Sequence, residues 1–178
     1  MIRRTVSALA AAVVMATAAA PAMAQTAPAP AAAQPGLSIS DVSAWIAAHG
    51  GQVAPVQRVG DQTFIAVRDG EMTWAVFFYG CTGDVCADIQ YAAFFSNPGV
   101  TLDMVNNWNR DQRFLKAFYA PADAGGDPSA TVQYDLLLRP GGVDQLTDPT
   151  AVWVGMLGLF ARHVGFLVET PAPAAPPQ

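Results

Sequence analysis

The chain has 178 residues, 52% hydrophobic and 13% charged, with 9 basic against 14 acidic side chains and two cysteines. A formal charge of −5 argues against a nucleic-acid partner, which needs a basic patch or stripe. The apolar excess implies a well-filled core with apolar surface left over for an interface.

The first residues read as an export signal. Met1-Ile-Arg-Arg4 is positively charged, an apolar run follows from about Val6 to Ala20, and Ala22-Met-Ala24 offers small residues for cleavage. The run is too short and alanine-rich for a retained membrane helix, and no cysteine follows the cleavage site to accept a lipid. Residues 1–24 are expected to be removed, giving a periplasmic or secreted protein with no stable membrane insertion. Loss of Arg3 and Arg4 leaves seven basic residues against 14 acidic, a charge of about −7. Residues 25–36 and 170–178 are Pro/Ala-rich and expected to be disordered, since neither can bury enough apolar area to offset its ordering entropy. One domain of ordinary size remains, residues 37–169.

Within it, Ser38 or Ser40 can cap a first helix with Val42, Trp45 and Ile46 on one side, ended by His49 and Gly50-Gly51. Val53 to Val59 reads as an edge strand, because Pro55 cannot donate to a ladder. Asp69-Gly70 is the strongest hairpin signal. A type I′ turn centred there would join Thr63–Arg68 to Glu71–Gly80, with Val67 opposite Met72, Ile65 opposite Trp74 and Thr63 opposite Val76. Cys81 opposite Cys86 would close the next hairpin, setting Phe78 against Ile89 and Val76 against Tyr91 on a strand ending near Phe95. Both turns select the same inward face. The outward face then carries Phe64, Phe77, Tyr79 and Phe94 among Ala75, Ala92, Asp88 and Gln90. That is an aromatic centre with a polar rim where water should meet a polar surface, and so a candidate interaction face for another protein or a homodimer.

Thr101 can cap a second helix whose Leu102, Val105 and Trp108 would form a buried stripe. Phe114–Ala120 and Thr131–Leu138 follow as a strand pair around a Gly-rich loop. Asp148-Pro149 has the form of an N-cap with proline at the first helical position, opening a last helix to about Val168. Gly155 and Gly158 lower its propensity, which implies close approach of another backbone.

Cysteines in an oxidising compartment favour a structural Cys81–Cys86 disulfide. A catalytic dithiol is the weaker reading without a Cys-x-x-Cys at a helix start, as is a metal site that would have to recruit His49 or His163 from distant helices. No glycine-rich phosphate loop, Gly-x-Ser-x-Gly elbow or His-Glu-x-x-His helix occurs. No catalytic, metal or cofactor residue is therefore assigned, no cofactor is expected, and the expected class is non-catalytic protein binding. The alternatives are a small periplasmic enzyme or redox protein using Cys81, Cys86 or a histidine, and a small-ligand binder.

A Cys pair ahead of a strand, Val105-Asn-Asn-Trp-Asn109 leading into Arg113-Phe114, and Asp135 in the next strand resemble the YbjN-domain family. The family motif would be carried here by Asn106, Trp108, Asn109, Arg113, Phe114 and Asp135. The resemblance covers about Ile39 to Leu167. It implies an α+β fold similar to type III secretion chaperones, an antiparallel sheet of about five strands with helices packed on one face in the order α-β-β-β-β-α-β-β-α. It also implies a chaperone-like sensory transduction regulator acting through protein contacts. N-terminal sequencing of protein recovered from cells that export it should begin at Gln25, in the soluble envelope fraction; a retained Met1 would refute the signal assignment.

Overall fold

The computed structural model describes residues 36–167, all within one compact unit. The expected signal segment, the linker before residue 36 and the tail from residue 168 lie outside the described residues.

A two-residue strand β1 (Leu37–Ser38) leads into helix α1 (Ile39–Ala48), where the Ser38 hydroxyl accepts the Asp41 amide at 3.0 Å. Strands β2 (Gln52–Val53), β3 (Gln57–Val59), β4 (Gln62–Asp69), β5 (Met72–Thr82) and β6 (Val85–Ser96) follow, then helix α2 (Leu102–Asp111), β7 (Lys116–Ala120), β8 (Ser129–Leu137), a 3₁₀ turn at Val143–Leu146 and helix α3 (Thr147–His163). The strands form one antiparallel sheet in the order β2-β4-β5-β6-β8-β7, with β1 added to the end of β6 and β3 to the end of β4. The fold is α+β as expected, with eight strands instead of about five. The extra ones are pieces of two or three residues, and the single strand expected over Val53–Val59 is split where Pro55 interrupts pairing.

The β5–β6 register agrees with expectation at Phe78↔Ile89, Val76↔Tyr91 and Cys81↔Cys86. The β4–β5 register does not. Val67 lies opposite Trp74, Ile65 opposite Val76 and Thr63 opposite Phe78. The turn is centred on Gly70-Glu71, and only its first central residue has positive φ (+59°). That is the type II′ pattern, which needs one left-handed residue where type I′ needs two, and Glu71 would be the second. Because the slip is two residues, every side chain keeps its face.

One face of the sheet is covered by the helices. Trp153 of α3 lies against Trp74 and Tyr91, with ring centroids 5.9 and 5.7 Å away, while Trp108 of α2 meets Phe160 at 4.9 Å and Phe95 meets Phe160 at 5.5 Å. Val105 and Trp108 are buried as the α2 stripe requires, but Leu102 is 53% exposed. Each three-residue step falls about 60° short of a full turn, which leaves Leu102 about 120° from Trp108 around the helix. Helix α3 begins earlier and ends sooner than expected. The 3₁₀ turn runs straight into it, so Asp148 meets the dipole from inside the first turn instead of capping it, and Pro149 still lies where no intrahelical N–H is required. The chain leaves through Gly165 at φ +73°, and the Asn97 carboxamide donates to the Val164 carbonyl at 3.0 Å. Gly155 and Gly158 bring no backbone close. Apart from its chain neighbours and its own helix backbone, no atom lies within 4 Å of where a Gly155 Cβ would be, and only the Arg162 side chain lies near Gly158.

Tyr91 is fully buried at the sheet centre and shares a 2.8 Å hydrogen bond with Thr150. Burial pushes its hydroxyl up to about 12; the Thr150 bond opposes the shift and the nearby Tyr134 adds to it. In the unfolded chain the same group ionises near 10. Its contribution to stability is therefore complete below about pH 10 and is lost, by roughly 2 to 3 kcal/mol, as pH rises towards 12. Denaturant titrations across that window should show Tyr91→Phe falling in stability less steeply than the wild type, by about one proton's slope.

Candidate interaction surface

The second face of the sheet carries the candidate site. Along a strand, alternate residues share a face, and the observed registers line these positions into rows that cross the strands. Phe64, Phe77, Gln90 and Asp135 form one row, and Ala66, Ala75, Ala92, Gln133 and Lys116 the next. Tyr79, Asp88 and Leu137 flank the aromatic row; Arg68 with Thr73, and Phe94 with Thr131 and Phe118, flank the alanine row. The Phe64 and Phe77 rings lie 5.2 Å apart as a low ridge. Ala75 and Ala92 are buried between taller neighbours, so a shallow trough runs beside the ridge.

Phe64 and Phe77 are half-buried, whereas Tyr79, Phe94, Phe118 and Leu137 are 41%, 61%, 50% and 84% exposed. No helix of the described residues covers them. The structure thus places all four expected face residues, Phe64, Phe77, Tyr79 and Phe94, on one solvent-facing surface, with Phe64 opposite Phe77 instead of Ala75. Phe118 and Leu137 extend the surface. Sequence reasoning missed them because the placement of β8 beside β6 follows from a crossover through α2, although the alternation Lys116, Phe118 and Thr131, Gln133, Asp135, Leu137 was available as a signal.

Asp135 stands on this face. Its carboxylate accepts from the Gln90 amide at 2.5 Å and from Lys116. Burial raises its pKa, but the bonds from Lys116 and Gln90 and the Lys116 charge outweigh that and hold the carboxyl below its usual value. The triad supplies the polar rim. Beside it Tyr79, Asp88, Asp135 and Leu137 surround a depression of about 230 Å³.

The other motif residues sit elsewhere. Asn109 donates to the Ala117 carbonyl at 2.9 Å and accepts the Ala117 amide at 2.8 Å, pairing its side chain with the free edge of β7 as a one-residue strand would. Trp108 Nε1 donates to the Leu115 carbonyl at 3.2 Å. Both join α2 to β7. Asn106 and Arg113 are exposed. Phe114 has φ +73°, alone among the described non-glycine residues, and the Leu115 amide bonds back to the Arg113 carbonyl at 2.9 Å. This is a γ-turn of the strained kind. It turns the Phe114 ring outward, under the Arg113 guanidinium at 5.1 Å, beside a largely apolar depression of about 440 Å³ lined by Val152, Gly155, Met156, Leu159 and Arg162.

The groups considered for chemistry have structural partners. Cys81 and Cys86 form a disulfide at the turn end of the β5–β6 hairpin, one residue pair before the Gly83-Asp84 turn, where Leu37 of β1 pairs with Cys86. Closing so short a loop stabilises by about 2 kcal/mol in the chain-entropy account. The His49 ring stacks on Trp45 and its Nδ1 lies 2.8 Å from the Trp45 carbonyl, while His163 Nε2 lies 2.8 Å from the Met104 carbonyl. Among the described residues no three of His, Cys, Asp and Glu gather as a metal site, and no helix is long and apolar enough to cross a membrane.

Comparison with known proteins finds a family and a solved structure that the chain resembles. The family model YbjN, described as "Putative bacterial sensory transduction regulator", matches residues 38–166. The crystal structure of YbjN, "a putative transcription regulator from E. coli", is similar at 15% identity and a TM-score of 0.46, over 71% of this chain and 92% of that one. No curated protein matches. The Asn109 pairing has its own test: Asn109→Ala should lower stability by about 1 to 3 kcal/mol and speed hydrogen exchange at the Ala117 amide, and unchanged protection there would show that the carboxamide does not hold the edge.

Proposed function

Since the chain belongs to the YbjN family, whose description is that of a regulator and not of an enzyme, we propose that it is an exported, chaperone-like regulatory module that binds protein through the second face of its sheet. One observation supports this most directly. Phe94, Phe118 and Leu137 are half or more exposed on a sheet face that no helix of the described residues covers, around the half-buried Phe64 and Phe77. Leaving such side chains in water forgoes roughly 1.5 to 3 kcal/mol for each that a partner could bury. The Gln90–Asp135–Lys116 rim gives that partner directional contacts. The export assignment rests on the charge and hydropathy of residues 1–24.

A photo-reactive amino acid at Leu137, the most exposed side chain of the face, should cross-link the protein to its partner in the cells that make it. Phe77→Asp in the same chain should abolish the adduct while leaving the melting temperature within a few degrees of the parent. An adduct undiminished by Phe77→Asp would overturn the reading.

A further inference from the structure

The face is shaped to receive itself. We infer that its occupant is a second copy of this chain, related by a two-fold axis that lies between the Phe64–Phe77 ridge and the alanine row; this rests on the sheet-face reading above. A symmetric pair requires one patch that is its own complement, so that residue i meets j and j meets i. Large and small side chains alternate here in the manner that condition demands. The ridge and the trough are neighbouring rows, about 6.8 Å apart along the strands.

An in-plane two-fold between them lays Phe77 over Ala75 of the second copy and Phe64 over its Ala66, with the reciprocal pairs formed at once. Gln90 then comes over Ala92, which is already enclosed by its own neighbours. Asp135 comes over Gln133 beside Lys116 of the second copy, so each rim lysine has a carboxylate on both sides. The flanking rows exchange in the same way, bringing Leu137 towards Thr131, Tyr79 towards Thr73 and the Asp88 carboxylate towards the edge of the Phe94 ring. The fit is centred on Phe77 and Ala75. Stacked sheets cross at about 30°, so the outer strands diverge and leave Phe118 at the margin.

The area suits a reversible pair. The 17 positions of the four rows, each about 4.8 by 6.8 Å, give roughly 550 Å² per copy, or about 1,100 Å² in all. That lies just below the roughly 1,200 to 2,000 Å² of stable specific interfaces and among the weak ones. Association through so small an area is concentration-dependent.

The experiment exchanges knob and hole. Sedimentation equilibrium of the mature protein should show a monomer–dimer equilibrium, and Phe77→Ala or Ala75→Phe should each weaken it at least about tenfold. The double variant Phe77→Ala/Ala75→Phe should recover dimerisation to within a few-fold of the parent, because positions 75 and 77 face each other across the axis. Thermal melts of all four proteins exclude loss of fold as the cause. A dimer unaffected by either single variant, or not recovered in the folded double variant, overturns the inference. A parent monomeric up to about 1 mM overturns it as well. In that case the mass of the Leu137 adduct shows whether the sheet-face reading survives: an adduct sensitive to Phe77→Asp and of a mass other than twice the chain keeps the face and removes the second copy.

Discussion

The pairing of β5 with β6 is the constraint on which the remaining structure depends. These are the two longest strands, they occupy the middle of the sheet, and their register is closed at one end by the Cys81–Cys86 disulfide. Once it is set, pleating assigns every side chain on them to a face. Trp74, Val76, Phe78, Ile89, Tyr91 and Phe95 then form the floor on which α2 and α3 settle, and Phe77, Tyr79, Ala92 and Phe94 must point the other way. The buried Trp74–Tyr91–Trp153 cluster fixes where α3 crosses. The outer face is thus a necessary by-product of filling the inner one, and only the residues chosen for it are free to serve function.

Much of this was legible because alternation tolerates error in steps of two. Placing the β4–β5 turn on Asp69-Gly70 misjudged each opposing pair, yet left Ile65 and Val67 inside and Phe64 outside, because moving the turn by one residue to Gly70-Glu71 shifts every partner by two. The β5–β6 register needed no correction, since the cysteines mark both strands. What could not be read was long-range. Nothing local says that β8 returns beside β6, which hid Phe118 and Leu137, or that Leu37–Ser38 adds a strand before α1. Helix spacing misled at Leu102 because a strict three-residue repeat drifts around the cylinder. It misled again at Gly155 and Gly158, where a low-propensity residue does not coincide with a close neighbour.

The motif that identifies the family divides between two tasks. Trp108 and Asn109 bond to the backbone at Leu115 and Ala117 and hold α2 against β7, so their presence reports how the chain folds. Asp135 belongs to the outer rim, and Phe114 to a strained turn above an apolar depression on α3. A family description can therefore be accurate about architecture while leaving the partner open. The residues that would determine the partner are the alanines and aromatics of the outer face, which no short motif records.

The carboxamide of Asn109 has a consequence for how far assembly can proceed. A sheet with a bare terminal strand can accept another strand, then another, and so grow without limit. Here the last strand already has its outward amide and carbonyl at Ala117 occupied by a side chain of its own molecule, and the opposite border is made of segments two or three residues long. Lateral growth is opposed at both borders. Contact through the flat of the sheet consumes the apolar surface that makes it, so a pair formed that way exposes no further copy of that surface.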